Sequence, residues 1–269
     1  FKGSGLTTWL DMLGSRVIGY ALTPEKDRPN LFEAANLEHN MASIIGGIRD
    51  FPAFTAVFKA HEPEIVFHLA AQSLVRRSYV EPLETYATNV MGTVHVLEAM
   101  RQTPSVRVAV IITSDKCYEN REWIYAYRES DPMGGRDPYS ASKGAAELVT
   151  ASYRNSFFHP NRFEKHGVSQ ASTRAGNVIG GGDWAEDRLI PDCIRALIDG
   201  QSISVRNPHA VRPWQYVLEP LFGYLRLAKR MWEDPCSFAG AWNFGPYTNG
   251  NATVGSVVNR VIREWGSGE

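Results

Sequence analysis

Only three cysteines occur in the 269 residues, Cys117, Cys193 and Cys236, an odd number at wide spacing. They can build neither a disulfide framework nor a paired-cysteine metal site, so no metal is expected and a reducing, cytoplasmic setting is. No apolar run approaches the ~18 residues of a membrane span. Charge of one sign is scarce too: 28 Lys and Arg stand against 29 Asp and Glu, a formal net charge of −1. So balanced a chain lacks the basic field that nucleic acid or an anionic membrane surface requires. The opening residues Phe1-Lys2-Gly3 carry neither a basic segment nor an apolar one, so no signal peptide is expected, and both ends read as cut points. What is present is ordinary globular composition, 43% hydrophobic and 21% charged, in a chain long enough to bury a core without staples.

Short apolar runs alternate with longer helical patterns. Val17–Ala21, Met41–Ile45, Glu64–Ala70, Val106–Thr113 and Val168–Thr173 read as strands, the fourth being the most β-branched run of the chain. Leu6–Leu13, Phe51–Ala60, Glu84–Met100 and Pro138–Phe157 read as the helices between them. This alternation predicts an α/β fold, a Rossmann-like doubly wound parallel sheet with helices on both faces and ligands at the carboxyl ends of its strands. From about Asn177 the texture changes to a Gly-rich loop, helices at Leu189–Ile198, Leu218–Trp232 and Val254–Trp265, and a short strand at Ile203–Arg206. The expected division is therefore residues 1–176 and a smaller mixed α/β part, residues 177–269.

Three groups of residues carry chemistry. Tyr139 and Lys143 lie four apart on a helix and share a face, so an ammonium can lower the phenol's pKa and let it act as acid and base at an alcohol. Thr113-Ser114-Asp115-Lys116 follows the strongest strand, where Ser114 can either hold the same oxygen or merely cap the next turn. A glycine opening the first helix, Gly3, suits the last position of a phosphate loop, with backbone amides and the helix dipole facing an anion.

These runs, with His68-Leu-Ala-Ala-Gln72 and Asn89-Val-Met-Gly-Thr93, resemble the extended short-chain dehydrogenase/reductase family. More narrowly, Phe1–Ser4, Val75–Tyr79, Thr113–Trp123, Arg174–Trp184 and Arg206–Gln215 resemble its sugar-nucleotide 4,6-dehydratases, the branch acting on CDP-D-glucose. The resemblance covers essentially the whole chain. It implies bound NAD and an internal redox cycle: hydride leaves sugar C4, water is lost across C5 and C6, and the hydride returns to C6. It also implies a homodimer through a four-helix interface formed by Glu84–Met100 and Pro138–Phe157, and a role in deoxysugar synthesis for a bacterial surface polysaccharide such as O-antigen.

The resemblance assigns Tyr139 as base for the 4-hydroxyl and Lys143 to the ribose and to tuning Tyr139. Ser114 falls to the reacting oxygen and Asp115 to the acid at the C6 hydroxyl. At the position of the C5 base, where dehydratases of dTDP-glucose or GDP-mannose carry glutamate, this chain has Lys116. Phe1, Lys2, Gly3, Ile48, Ala70, Ala71 and Thr88 are the implied NAD-lining positions, with the first strand and first glycines of the phosphate loop missing. Position 5 is Gly5 where Trp is usual, and Gly47 stands where an adenine-contacting aspartate is expected. Asn177, Arg188 and Arg212 are the implied sugar-nucleotide contacts, and Trp184 and Trp214 either stack on cytosine or belong to the core. The competing readings are a 4-epimerase, a dehydratase of another nucleotide sugar, and a non-catalytic NAD-binding protein.

Overall fold

A computed structural model describes residues 1–247 and 251–268. The chain runs α1 (Lys2–Met12), β1 (Ile18–Ala21), α2 (Leu31–Ala34), β2 (Ala42–Ile45), α3 (Phe51–His61), β3 (Ile65–His68), α4 (Val75–Val80) and α5 (Pro82–Tyr86). A π-helical turn, Ala87–Met91, joins α5 to α6 (Gly92–Arg101). There follow β4 (Val108–Ile112), α7 (Pro138–Ser156), α8 (Phe163–His166), β5 (Ser169–Ala175), β6 (Val178–Ile179) and α9 (Leu189–Ile198). The chain continues through β7 (Val211–Pro213), β8 (Gln215–Tyr216), α10 (Leu218–Glu233), β9 (Ala241–Phe244), β10 (Asn251–Thr253) and α11 (Val254–Trp265).

The main sheet has the order β3-β4-β5-β9, all parallel. Its centre, β4, is buried at every residue, and its side chains divide by the two-residue strand period. Ala109 and Ile111 enter a core with Phe54, Phe58, Val96, Leu97 and Met100 from α3 and α6. Val108, Val110 and Ile112 enter the opposite core with Leu6, Leu221, Tyr224 and Met231 from α1 and α10. Helices therefore cover both faces, as the strand–helix alternation requires. Gly5 permits close packing on one face: a Cβ there would stand 3.1 Å from Leu221 Cδ1.

Two expectations need amendment. The parallel sheet is in two pieces, because β1 and β2 pair only with each other among the described residues. Residues Ile203–Arg206 form no strand; β7 pairs with β10 and β8 with β6, and among the described residues that segment has no strand partner. Elements from beyond residue 177 complete the main sheet: β9 pairs with β5, and α10 packs on β4.

Buried polar groups pin the loop after β3. Asn89, in the π-turn, donates to the Gln72 carbonyl and to Ser142 Oγ and accepts from the Gln72 amide. His68 Nε2 lies 3.2 Å from Thr93 Oγ1, whose only proton goes to the Asn89 carbonyl, so the imidazole is the donor and carries its proton on Nε2. Burial, reinforced by the Lys143 charge, lowers the His68 pKa to about 3. Between the ordinary histidine value of about 6.5 and pH 3 the unfolded chain binds a proton that the folded chain refuses. Stability is therefore expected to fall with acidification by up to about 1.4 kcal/mol per pH unit. Urea titrations across that range should show the slope in the parent and its loss in His68→Gln.

Candidate active site

The carboxyl ends of β3, β4 and β5 open onto one cleft of about 950 Å³. Phe1, Lys2, Gly3, Ala71, Ser114, Asp115, Lys116, Tyr139, Lys143, Asn177, Arg188 and Arg212 all line it, brought from both halves of the sequence. Local rules explain the placement. Asp137 caps α7, accepting from the Ser140 amide at 2.9 Å, and Pro138 occupies its first turn. That start fixes Tyr139 near the helix entrance, with Lys143 one turn further, both buried. Ser114 leaves β4 extended and caps the turn Asp115–Cys117: its Oγ accepts from the Lys116 amide at 3.2 Å and donates to Asp115 Oδ1 at 3.0 Å. The capping role and the site role thus coexist in one hydroxyl.

The electrostatics differ from the simple pairing rule. Burial pushes the Tyr139 phenol up to about 12, against the pull of its hydrogen bond to Ser114. Burial also lowers Lys143 to about 8, helped by the Lys2 charge and opposed by Glu147. Lys2 is likewise lowered to about 8, by burial and then by Arg188, with Asp115 and Asp183 opposing. For the phenol, desolvation outweighs the hydrogen bond to Ser114 and the Arg188 charge, which both act to lower its pKa; what the site holds is a cluster of desolvated cations, Lys2 and Lys143, lining the cleft.

Ile48, Ala70 and Thr88 do not line the cleft. Ile48 is 9% exposed and packs in the core, where a Cβ on Gly92 would meet its Cγ2 at 2.9 Å. Arg188 is engaged within the protein, donating to Asp183 Oδ2 at 2.8 Å and to Ser73 Oγ at 2.9 Å. Arg212 is exposed and donates to the Val211 carbonyl. Trp184 and Trp214 both line the cleft, and the Trp214 indole is tied to the Ala252 carbonyl at 3.1 Å. Sequence reasoning missed Arg28, Arg76 and Arg206, which also reach the cleft. Arg76 and Arg206 both pair with Asp187. Surface arginines have no sequence signal that separates them from solvated charges.

At the amino end of α1 the Phe1 side chain makes no cap, and the space where a Gly3 Cβ would stand is open. First-turn amides, the positive helix end and Lys2 therefore face the cleft together, a combination that fits a diphosphate.

Comparison with known proteins agrees with this geometry. The chain is 54% identical over 266 residues to a CDP-glucose 4,6-dehydratase of Salmonella typhimurium, covering 99% of this chain and 74% of that protein. It is 30% identical over 182 residues to human dTDP-D-glucose 4,6-dehydratase, covering 65% of this chain and 49% of that one. Among solved structures, a UDP-glucose 4-epimerase of Thermotoga maritima with UDP-glucose superposes with a TM-score of 0.82 at 22% identity, covering all of this chain and 81% of that one. A dTDP-glucose 4,6-dehydratase of Bacillus anthracis in complex with NAD gives 0.79 at 21% identity, over all of this chain and 79% of that one. These two establish the Rossmann-like fold. The family model described as GDP-mannose 4,6 dehydratase matches residues 1–235, and the chain belongs to that family.

Proposed function

We propose that this protein is a hydro-lyase that converts CDP-D-glucose to CDP-4-dehydro-6-deoxy-D-glucose and water, using NAD as a recycled hydride carrier. The observation that carries the reading is the Ser114-Asp115-Lys116 turn lining the same cleft as Tyr139 and Lys143. A 4-epimerase needs the tyrosine and lysine but has no use for an acid and a second base beside Ser114. The 54% relative supports the choice of CDP-D-glucose among nucleotide sugars.

The cationic end of α1, Lys2 and Lys143 suit the NAD diphosphate and ribose. When bound, NAD supplies the acceptor for the hydride of sugar C4 and its return to C6. Tyr139 takes the proton of the 4-hydroxyl, and Ser114 hydrogen-bonds the same oxygen. Lys143, kept as the ammonium, holds the ribose and favours the phenolate. Once C4 is a ketone the C5 proton is acidic; Lys116 in its uncharged amine form takes it, becoming the ammonium, while Asp115 in its carboxylic-acid form protonates the departing C6 hydroxyl, which leaves as water and leaves Asp115 a carboxylate. Asn177, Arg188 and Arg212 face the nucleotide diphosphate, Arg188 exchanging Asp183 or Ser73 for a phosphate oxygen. In this reading residues 1–176 hold the cofactor and residues 177–269 the sugar nucleotide, in a cytoplasmic enzyme whose keto product suits deoxysugar synthesis for a surface polysaccharide.

Incubation with CDP-D-glucose and NAD, followed by mass spectrometry, tests the reaction class. Loss of one water from the sugar nucleotide is expected. A sugar of unchanged mass and altered configuration would replace this reading with an epimerase.

The same helices support a homodimer. Leu83 is 86% exposed, and Tyr79, Val80, Met91 and Leu148 are also uncovered along α4 to α7. Burying such a face contributes about 25 cal/mol per Å² of apolar area. Sedimentation is expected to show a dimer at micromolar concentration, and Leu83→Lys with Leu148→Glu to shift it to monomer with the folded far-ultraviolet spectrum retained.

A further inference from the structure

Glu147 lies one turn beyond Lys143 on α7, and no step above uses it. Its side chain and that of Arg174, on β5, are each 4% exposed, and Arg174 Nη2 donates to Glu147 Oε2 at 2.7 Å. The remaining carboxylate capacity is also filled. Thr113 Oγ1 donates to Oε1, and Ser172 Oγ donates to Oε2 at 2.8 Å. On the far side of the guanidinium, Arg174 Nη1 donates to Tyr118 Oη at 2.6 Å and to the Glu129 carbonyl at 3.0 Å, while the buried Nε has no partner. Tyr118 in turn donates to Asn243 Oδ1 at 2.7 Å and stacks on Tyr127.

Thr113 immediately precedes Ser114, and Tyr118 immediately follows the turn that ends at Cys117. One ion pair therefore holds both ends of the Ser114–Cys117 turn, and its carboxylate sits on the helix that carries Tyr139 and Lys143. Stability alone does not call for such a pair, because apolar residues of similar volume serve a core as well or better than a buried ion pair.

We propose that Glu147 and Arg174 are positioning residues: as a clamp they set the Ser114-Asp115-Lys116 turn against Tyr139 and Lys143. The inference rests on the reacting centre assigned above. Glu147 also supplies the main negative charge near Lys143, which faces Lys2 from α1, His68 from β3 and Cys117 from the turn. Removing that charge lowers the pH at which Lys143 gives up its proton. Since the ammonium form is the one required, the alkaline limb of turnover moves to lower pH.

Glu147→Gln keeps the shape and an acceptor while removing the charge. In this variant kcat for CDP-D-glucose is expected to fall by on the order of tens-fold with KM little changed, as displaced groups imply. Its Lys143 titration, followed by NMR of ¹³Cε-labelled lysine, is expected to move down by about half a pH unit or more. The double variant Glu147→Gln with Arg174→Met removes the stranded cation and is expected to regain melting temperature but neither kcat nor the Lys143 midpoint. Parent-like kcat and midpoint in Glu147→Gln, or recovery of both in the double variant, would overturn the clamp and leave a purely structural pair. If the parent releases no water from CDP-D-glucose, the functional reading fails, while the Lys143 midpoint still decides whether Glu147 governs that site.

Discussion

Tyr139→Phe is expected to lower turnover of CDP-D-glucose by about 10²–10⁴-fold while barely moving the melting temperature. The phenol oxygen is the buried acid–base group placed to receive the 4-hydroxyl proton, and its hydrogen-bond partner is Ser114. Nothing in the start of α7 depends on that oxygen, because Asp137 and Pro138 define the helix entrance. The phenol pKa of about 12 opposes ionisation, so Tyr139 can take the substrate proton only once its own has left, and its cationic surroundings, Arg188 among them, favour that ionisation. Lys143 supplies part of them and loses its proton near pH 8, so turnover should decline above that pH. Single-turnover kinetics beside a thermal melt check the expectation. Turnover within a few-fold of the parent would move the first proton transfer to another group, with Lys116 the next candidate in the cleft.

Arg174→Met should be among the most destabilising single substitutions in the protein. It leaves the Glu147 carboxylate buried with the hydroxyls of Thr113 and Ser172 but without its cation. Removing one partner of such a pair costs about 3–5 kcal/mol. For a chain of this size that corresponds to a melting point lower by on the order of 10 °C. The deficit should depend on pH with a definite sign. The cost is that of an uncompensated buried negative charge, so it is largest where that charge is present and shrinks where acid removes it. Urea unfolding of parent and variant at neutral and acid pH measures both quantities. Equal midpoints at neutral pH would mean that water reaches the carboxylate once the guanidinium is gone.

Elements governed by neighbouring residues could be read from the sequence. The β-branched run gave β4, the helical pattern over Pro138–Phe157 gave α7, and the four-residue spacing placed Tyr139 and Lys143 together. The cleft gathers the Ser114 turn with that pair because both lie at the carboxyl side of a parallel sheet, a property of the fold class. What escaped depends on distant partners. Arg174 meets Glu147 and Tyr118 across 27 and 56 residues, separations that carry no periodic signal. Ile203-Ser-Val-Arg206 alternates like a strand but finds no edge to pair with. Ile48 meets the bare backbone of Gly92 in a core cluster, a contact between distant positions that no local pattern announces. The spacing rule also promised a phenol with lowered pKa, and burial reversed the sign.

The two-piece sheet has a kinetic consequence. The amides of β4 are locked between β3 and β5, so their exchange with solvent deuterium requires near-global opening. β1 and β2 share four residue pairs and no further edge among the described residues, and most of their side chains are half-exposed or exposed. In this chain the amides of β1 and β2 are therefore expected to exchange ahead of those of β4, with Tyr20, which packs edge-on against Phe54, tying the pair to the main core.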